Sequence, residues 1–370
     1  MRLIDRLILK ELFGPWAFGV GIFTVLIMAG TYLFKITDFI VQGIPPLVIL
    51  ELTILLLPGV IAKTFSMAML LASLLAFGRL SSDSEVVAMR AAGASIRRMM
   101  VPVGVFGFAV SLLFFTVNET VVPAASLRAT VIQSEIAKTL DVKATQPMNF
   151  SQFDEGRLVA NVSAVDFSFQ ARTLRGVTVV AYNEAGEPGW VMFAKELEYH
   201  SPESWRLRGG GRLLSADGTE SIVLDGDAWP PQLPKASFTP ETLIAPSLKD
   251  LDSFSMRQMG EEIAKAKANP RFSPSQIANL EFGYYNKVAL PLAALVFGLV
   301  GAPLGIRNHR TGVASGFWMS IVIIFGYMLL ANFLAVNAQG NVIPASVASL
   351  LPVGIGLVCG FALIWRRDTT

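Results

Sequence analysis

Residues 311–365 form a run of 55 residues that contains no Asp, Glu, Lys or Arg. About 20 predominantly apolar residues cross the hydrocarbon core of a bilayer, so this run is incompatible with an ordinary water-soluble domain. The polar sequence Asn337-Ala-Gln-Gly-Asn341 and the following Pro344 interrupt it. Such residues favour a tight turn, and we therefore predict two spanning helices, at about 313–336 and 343–365.

Four other apolar runs have the length of a membrane span. Residues 12–34, 99–118 and 288–306 contain no charged side chain, and residues 47–78 contain only Glu51 and Lys63. The whole chain agrees with this pattern, because it is 53% hydrophobic and 16% charged, whereas roughly a quarter of residues are charged in soluble domains. The sequence predicts a membrane α-helical bundle of six transmembrane helices, three on each side of a polar block.

The polar block, residues 119–287, is slightly acidic and has the pattern of an all-β domain. It holds 17 Lys or Arg and 21 Asp or Glu, while the rest of the chain has a net charge of +6. Short β-branched or aromatic segments alternate with turn residues, and we read Gly209-Gly-Gly and Ala216-Asp-Gly as turns. This pattern predicts a sandwich or jelly roll, followed by a polar helix at about 255–268. The predicted strand segments begin at Arg157, Gly176, Trp190, Trp205 and Ser221.

These patterns divide the chain into three parts. Residues 1–123 form an N-terminal transmembrane half, 124–284 an inserted jelly-roll-like domain with connecting helices, and 285–370 a C-terminal transmembrane half. Cytoplasmic loops carry an excess of Lys and Arg, and the loops on one side, with both termini, carry eleven such bases, against Lys35 alone in the opposite short loops. We therefore predict cytoplasmic termini and an external β domain. The eleven bases are Arg2, Arg6, Lys10, Arg79, Arg90, Arg97, Arg98, Arg307, Arg310, Arg366 and Arg367.

Several classes of chemistry are disfavoured. The charge balance does not suit a nucleic-acid binder, which needs clustered Lys and Arg. One Cys and two distant histidines, His200 and His309, give no spacing typical of a metal site. The segment from Gly59 to Thr64 lacks the second glycine of a phosphate-binding loop. We expect no enzyme activity, metal or cofactor in this chain, so any ATP would be hydrolysed by another subunit.

The loop between the second and third spans has the pattern of a short surface helix at about 82–93. Ser82 or Asp83 could cap its start, Glu85 complements its N-terminus, and Gly93 is a natural stop. We expect Val86, Val87, Met89 and Arg90 to be available to a docking partner. An ordinary amphipathic connector at the membrane surface is the alternative.

Three motifs resemble a known family. Asp83-Ser-Glu-Val-Val-Ala-Met-Arg-Ala-Ala-Gly93 is similar to the coupling helix of the lipopolysaccharide-export permeases, the LptF/LptG family. Asn118-Glu-Thr-Val-Val-Pro123 after the third span and Tyr285-Asn-Lys-Val-Ala-Leu-Pro291 at the fourth extend the similarity. Together with the six-span order, the resemblance covers nearly the whole chain. It does not distinguish LptF from LptG, or a homodimer from a pair of paralogues.

The resemblance implies a permease subunit of an ABC-type exporter in the inner membrane of a Gram-negative-type bacterium. Such an exporter extracts lipopolysaccharide from the outer leaflet and passes it through a periplasmic jelly roll to a bridge protein. Its partners would be an LptB-like cytoplasmic ATPase dimer, which binds the ATP, a second permease of the same family and a single-helix LptC-like component. In this family the lipid is taken up between the first and fifth spans.

The resemblance also implies site residues. Glu85 matches the acidic residue that docks into the ATPase, with Asp83 and Arg90 on the same helix. Lys35 matches a basic residue directed at lipid phosphates, although a lysine snorkelling at the interface is the alternative. Lys63 lies about 22 Å from the cytoplasmic end at about 1.5 Å per residue, and an intramembrane lysine should face a cavity or a partner. Arg128 is a third lipid-binding candidate; alternatively it is a solvated base.

A second hypothesis is a membrane scaffold or sensor that relays signals between the outer β domain and a cytoplasmic partner. It shares the six spans and the surface helix with an exporter. The two hypotheses differ at Lys35 and Lys63, since a scaffold does not need cations in the outer half of its spans.

Overall fold

A computed structural model describes residues 3–139, 148–154, 157–168, 172–183, 186–201, 204–236, 254–268, 272, 274–306 and 313–369. Arg2, Arg307, His309 and Arg310 lie outside these ranges. The chain divides into two compact units, which we describe separately. The helical unit is drawn from residues 1–127, 252–260 and 278–370, and the β unit from residues 128–251 and 261–277.

Six helices of the described chain are long and apolar enough to cross a membrane, which confirms that prediction. At about 1.5 Å per residue the first helix, with its 39 residues, is about 58 Å long and exceeds the roughly 30 Å hydrocarbon core. A short helix follows the second span, and another precedes the fourth. In chain order the helices are α1 (Leu3–Val41), α2 (Pro46–Ser82), α3 (Glu85–Ala91), α4 (Ile96–Thr139), α5 (Met256–Ala268), α6 (Pro274–Gly305), α7 (Val313–Gln339) and α8 (Ala345–Thr369).

Helix α2 runs through the core of the helical unit. Residues 68–74 are all buried, and α1 and α7 both pack along this helix. The Trp16 ring on α1 lies 5.4 Å from the ring of Phe65 on α2 and 5.9 Å from that of Phe106 on α4. A helix that is apolar on all sides is typical of a buried position, and this explains why α2 contacts so many of the other spans.

Helices α2 and α6 approach closely at glycines of α6. A Cβ atom added at Gly301 would lie 2.9 Å from Cβ of Ser73 and 3.1 Å from the backbone oxygen of Leu70. One added at Gly305 would lie 2.9 Å from the backbone oxygen of Leu74. Small residues allow two membrane helices to pack backbone against backbone. Glycine is therefore required by space at this contact.

The β unit contains one antiparallel sheet whose strands pair in chain order. Each predicted strand segment lies within one of the observed strands, while the first strand was not predicted. The sheet is a continuous meander of hairpins among the described residues. Its strands are β1 (Met148–Asp154), β2 (Arg157–Ser168), β3 (Thr173–Tyr182), β4 (Pro188–Ser201), β5 (Ser204–Ser215) and β6 (Ser221–Leu224).

One face of the sheet carries the core of the β unit. Val162, Val179 and Met192 are buried at paired positions of β2, β3 and β4. Trp205 on β5 is 2% exposed and its ring lies 5.3 Å from that of Tyr199 on β4. Alternating burial along the strands is the pattern of a sheet with one covered face.

The glycine triplet 209–211 does not form the predicted turn. All three residues lie inside β5, and Gly209 and Gly210 have φ angles of 78° and 75°. The pairing of β4 with β5 shifts register between Ala194 and Glu196, opposite these glycines. Positive φ angles in a continuing strand are typical of a β-bulge. The turn interpretation was wrong because glycine is favoured both in turns and in β-bulges.

The second predicted turn is present after β5. Asp217 accepts hydrogen bonds from the backbone N–H of Thr219 at 3.0 Å and from its hydroxyl at 2.7 Å. The pKa of Asp217 is lowered to about 2, mainly by a hydrogen bond from the Ser215 side chain and further by the hydrogen bonds from Thr219. Because this value lies below the usual one, the carboxylate stabilises the turn above about pH 4 and loses this effect as the pH falls toward 2.

Helix α5 begins where the sequence predicted a polar helix. The backbone N–H of Ser255 donates to Gln258 at 2.8 Å, and that of Gln258 donates to the Ser255 hydroxyl at 3.2 Å, a reciprocal capping box. The N–H of Met256 donates to both carboxylate oxygens of Glu119 on α4, at 2.8 and 3.0 Å. A carboxylate at a helix N-terminus is favourable, so Glu119 ties the start of α5 to α4 within the helical unit.

We predict that Gly301→Ala destabilises the protein by about 1–3 kcal/mol, because the added methyl group overpacks the contact between α2 and α6. The measurement is thermal or denaturant unfolding of the purified protein in detergent. Gly326→Ala on α7 is the control, since nothing lies within 4 Å of its added Cβ. That variant should be neutral or up to about 1 kcal/mol more stable, and equal behaviour of the two variants would contradict the packing argument.

Candidate functional site

Helix α3 is a separate short helix held between two unusual backbone positions. Ser84 precedes it with a φ angle of 61°, and Gly93 follows it with a φ angle of 86°. The N–H of Gly93 donates to the carbonyl of Arg90 at 2.9 Å, and the N–H of Ala94 donates to that of Met89 at 3.0 Å. Gly93 therefore ends the helix as expected. Ser84 occupies the capping position in place of Ser82 or Asp83, and its side chain makes no capping hydrogen bond.

One face of α3 is part of the helical core. Val86 and Met89 are 3% and 7% exposed and pack with the buried residues of α1, α2 and α4. The expectation that these two side chains are available to a partner is wrong, because a short helix needs buried anchors to remain in place. Val87, which is 65% exposed, and Arg90 lie on the surface.

The predicted coupling residues differ in their surroundings. Asp83 is exposed and lies 3.7 Å from the guanidinium of Arg79, which also contacts Glu11 on α1 at 3.3 Å. Glu85 is half-buried, and its Oε2 atom is shielded from solvent without a hydrogen-bond partner among the described residues. A buried acceptor without a donor costs free energy, roughly 1–3 kcal/mol. Of these two acidic residues, Asp83 has an ion-pair partner, whereas Glu85 has a shielded carboxylate oxygen without a described hydrogen bond.

Ion pairs gather both ends of the described chain at the α3 end of the helical unit. Arg98 contacts Asp5 of α1 at 2.8 Å. Arg97 contacts Asp368 of α8 at 2.8 Å, and Asp368 also accepts the backbone N–H of Ile96 at 3.1 Å. The start of α1, the start of α4 and the end of α8 consequently lie on one side of the bundle.

A buried lysine on α6 was missed by the sequence analysis. Lys287 is 4% exposed, and its Nζ lies 3.4 Å from the side-chain oxygen and 3.5 Å from the backbone oxygen of Asn118 on α4. These are long hydrogen bonds, but two oxygens directed at one ammonium group stabilise its charge in an apolar setting. Lys287 directly precedes the uncharged residues 288–306, so the predicted fourth span did not include it. The sequence feature that pointed to Lys287 was its position in the Tyr285-Asn-Lys motif.

Of the predicted lipid-binding residues, one lies beside the buried Lys287–Asn118 pair. Lys63 on α2 lines a small cavity together with Asn118 and Lys287. Lys35 is exposed, and its Nζ lies 5.9 Å from the centre of the Tyr32 ring, a cation–π distance. Arg128 is exposed and belongs to the β unit.

Candidate metal ligands do not cluster in the described part of the chain. This part contains no group of three or more His, Cys, Asp or Glu side chains that could hold a metal ion. Cys359 is a free, exposed thiol on α8. Six helices able to span a membrane, with a hydrogen-bonded lysine in the core and a short anchored helix at one end, are the arrangement of a multi-pass membrane protein.

Comparison with known proteins identifies the family. The family model of the lipopolysaccharide export system permease LptF/LptG matches residues 6–366, and the chain belongs to this family of inner-membrane permeases. It is similar to the lipopolysaccharide export system permease protein LptG of Escherichia coli (strain K12), with 25% identity over 331 residues and 85% of each chain covered. LptG of Escherichia coli O6:H1 (strain CFT073) matches to the same extent. The resemblance seen in the sequence motifs is confirmed.

We predict that Asn118→Leu destabilises the protein by about 1–3 kcal/mol, because it deprives the buried Lys287 ammonium of a hydrogen-bond acceptor. Unfolding in detergent measures this change. Asn332→Leu is the control, since Asn332 is exposed and, among the described residues, its side chain donates to the carbonyl of Met328 in its own helix. If the two residues act as a pair, Asn118→Leu should cost less in a Lys287→Met background. Independent, additive effects would contradict the pairing.

Proposed function

We propose that this chain is the permease subunit of an ABC-type exporter that extracts lipopolysaccharide from the outer leaflet of the inner membrane. The observation that carries the proposal is the match to the permease family over residues 6–366. The subunit itself performs no catalysis and binds no cofactor. A separate cytoplasmic ATPase dimer supplies the energy, and a periplasmic bridge protein receives the lipid.

The α3 end of the helical unit faces the cytoplasm in this proposal. Arg79, Arg97 and Arg98 are at that end, together with the ion pairs that hold α1 and α8. Cytoplasmic flanks of membrane helices carry the excess of basic residues. The β unit then stands in the periplasm, in keeping with its acidic composition. Its meander is compatible with one layer of a jelly-roll-like domain through which lipid passes to the bridge.

Helix α3 is the proposed docking element for the ATPase. Val86 and Met89 anchor it in the core, so force applied to its outer face reaches α1, α2 and α4. Glu85 supplies the acidic group that enters the ATPase, where a donor from the partner would satisfy its carboxylate. Asp83 and Arg90 flank it with opposite charges on the exposed surface.

The lipid headgroup is proposed to contact Lys35, Lys63 and Arg128. Lipid A carries phosphates, which pair favourably with ammonium and guanidinium groups. Lys63 keeps part of its side chain exposed while lining the cavity beside Lys287. Lys35 is held near the Tyr32 ring at the far end of α1 from the arginine cluster.

Helices α1 and α7, the first and fifth spans, are the proposed boundary with a second permease and with a single-helix component. They are the least buried of the six spans within the described chain. Large apolar side chains such as Trp318, Phe325 and Phe333 lie exposed along α7. An exposed apolar face of this kind suits contact with lipid or another membrane helix, as uptake of lipid between the first and fifth spans requires.

We expect Glu85→Ala to abolish co-purification of the cytoplasmic ATPase, or to reduce it at least tenfold, because it removes the carboxylate proposed to dock. The measurement is affinity purification of the tagged complex, followed by quantification of the ATPase and of its coupled activity. Glu220→Ala, an acidic residue after β5, is the matched control and should leave the ATPase bound. Unchanged co-purification and coupling in Glu85→Ala would exclude the docking role.

Photocrosslinking tests the lipid path. A photoreactive residue placed next to Lys35 or Lys63 should give adducts with lipopolysaccharide in cells, because the headgroup passes these side chains. The same residue in place of Phe108, an exposed position on α4, serves as the control and should give few adducts. Absence of adducts at both lysine positions, where a known exporter gives them, would favour the scaffold hypothesis.

A further inference from the structure

Two lysines from different helices border one small cavity of the helical unit. Lys63 on α2 is exposed, whereas Lys287 on α6 is 4% exposed, and both line a space of about 10 Å³ together with Asn118 of α4. A space of this size accommodates about one water molecule. One lysine is therefore enclosed by protein beside another that reaches the surface.

A hydrogen bond one helical turn away fixes the backbone positions of the two lysines relative to each other. The Ser66 hydroxyl of α2 donates to the backbone oxygen of Leu290 on α6 at 3.0 Å. Ser66 follows Lys63 by three residues. Leu290 likewise follows Lys287 by three, and residues three apart lie on the same side of a helix. This contact therefore sets the register of α2 against α6 at the cavity.

Lys287 is also held from the α4 side. Its Nζ atom lies 3.4 Å from the side-chain oxygen and 3.5 Å from the backbone oxygen of Asn118. Both oxygens belong to neutral groups, which stabilise the ammonium ion without cancelling its charge. Lys287 therefore places a fixed positive charge at the inner wall of the cavity.

This fixed charge acts on Lys63. Buried charges are screened less than exposed ones, and Phe114 and Leu290 add apolar surface to the wall of the cavity. Like charges repel each other. The free energy is consequently lower when the Lys63 ammonium group points away from Lys287, toward the exposed side of α2.

We propose that Lys287 is a positioning residue for lipid recognition, whose fixed charge keeps the Lys63 ammonium group at the surface of α2, where it contacts a phosphate of the lipid headgroup. The identity of the lipid rests on the proposed function. Lys287 itself does not touch the lipid, because a cavity of about 10 Å³ is too small for a phosphate group. Loss of the Lys287 charge lets the Lys63 ammonium group turn into the cavity, and this weakens the phosphate contact.

The test compares the binding of lipid A that carries both phosphates with that of lipid A from which the phosphates have been removed. It uses the full-length protein, purified in detergent with the subunits that accompany it. Lys287→Gln removes the charge and retains a donor for Asn118, and Lys63→Gln removes the ammonium group that touches the lipid. Lys10→Gln, at an exposed position near the start of α1, is the control. Thermal unfolding reports the stability of each variant.

We expect Lys63→Gln to lower the preference for phosphorylated lipid A about tenfold, equivalent to about 1.4 kcal/mol, and Lys287→Gln to lower it about threefold. The double variant should match Lys63→Gln, because Lys287 acts through Lys63, and the control should bind as the wild type does. A merely structural role of Lys287 would weaken the binding of both lipids equally and leave the preference unchanged. In a cryo-EM map of Lys287→Gln, the Lys63 side chain should be less exposed than in the wild type.

Two kinds of failure are distinguishable. An unchanged preference in Lys287→Gln, or a Lys63 side chain that stays at the surface in that variant, would overturn the inference and leave the proposed function intact. If the wild type shows no preference for phosphorylated lipid A, or if Lys63→Gln retains it, the phosphate contact of Lys63 is excluded, and the proposed lipid path at Lys63 fails together with the inference.

Discussion

The cost of placing charge in hydrocarbon governs the organisation of the helical unit. An ammonium group inside a membrane needs polar partners, and Lys287 finds them in two oxygens of Asn118. Both residues belong to motifs that also contain a proline, at positions 123 and 291. Proline leaves the carbonyl four residues earlier without its helical donor. The polar contact between α4 and α6 thus occurs next to a proline-weakened turn of each helix.

At the α3 end of the bundle, charged side chains also have polar partners, but there the partners are carboxylates and water. Arginines are numerous there, but they lie at helix ends, where water and carboxylates are both accessible. Surface ion pairs contribute little to stability, typically up to about 1 kcal/mol each. Their significance lies in geometry, since Arg98 and Arg97 tie the start of α4 to α1 and α8. Helix α3 consequently lies at an end of the bundle where α1, α4 and α8 are connected by ion pairs.

The sequence was sufficient to predict the six spans and most of the strands, because both depend on local hydrophobic pattern. The sequence was insufficient where one residue type is compatible with two local structures, or where a contact joins distant parts of the chain. Gly209 and Gly210 signal a turn and a bulge equally well, and only the register of β4 against β5 decides between them. The inward face of α3 is fixed by long-range packing of Val86 and Met89. Lys287 was overlooked because its acceptor, Asn118, lies 169 residues away in sequence.

The glycine contact between α2 and α6 limits how the helical unit can move. With Gly301 against Ser73 and Gly305 against Leu74, the backbone of α6 lies directly against α2 with no α6 side chain between them. Sliding by one residue would bring larger α6 residues to the positions where glycines now leave room for α2. A joint tilt of α2 and α6 would keep this contact intact, whereas a shift of register between the two helices would not. The two helices therefore form a rigid pair within the helical unit, with their relative register fixed by the absence of side chains on α6.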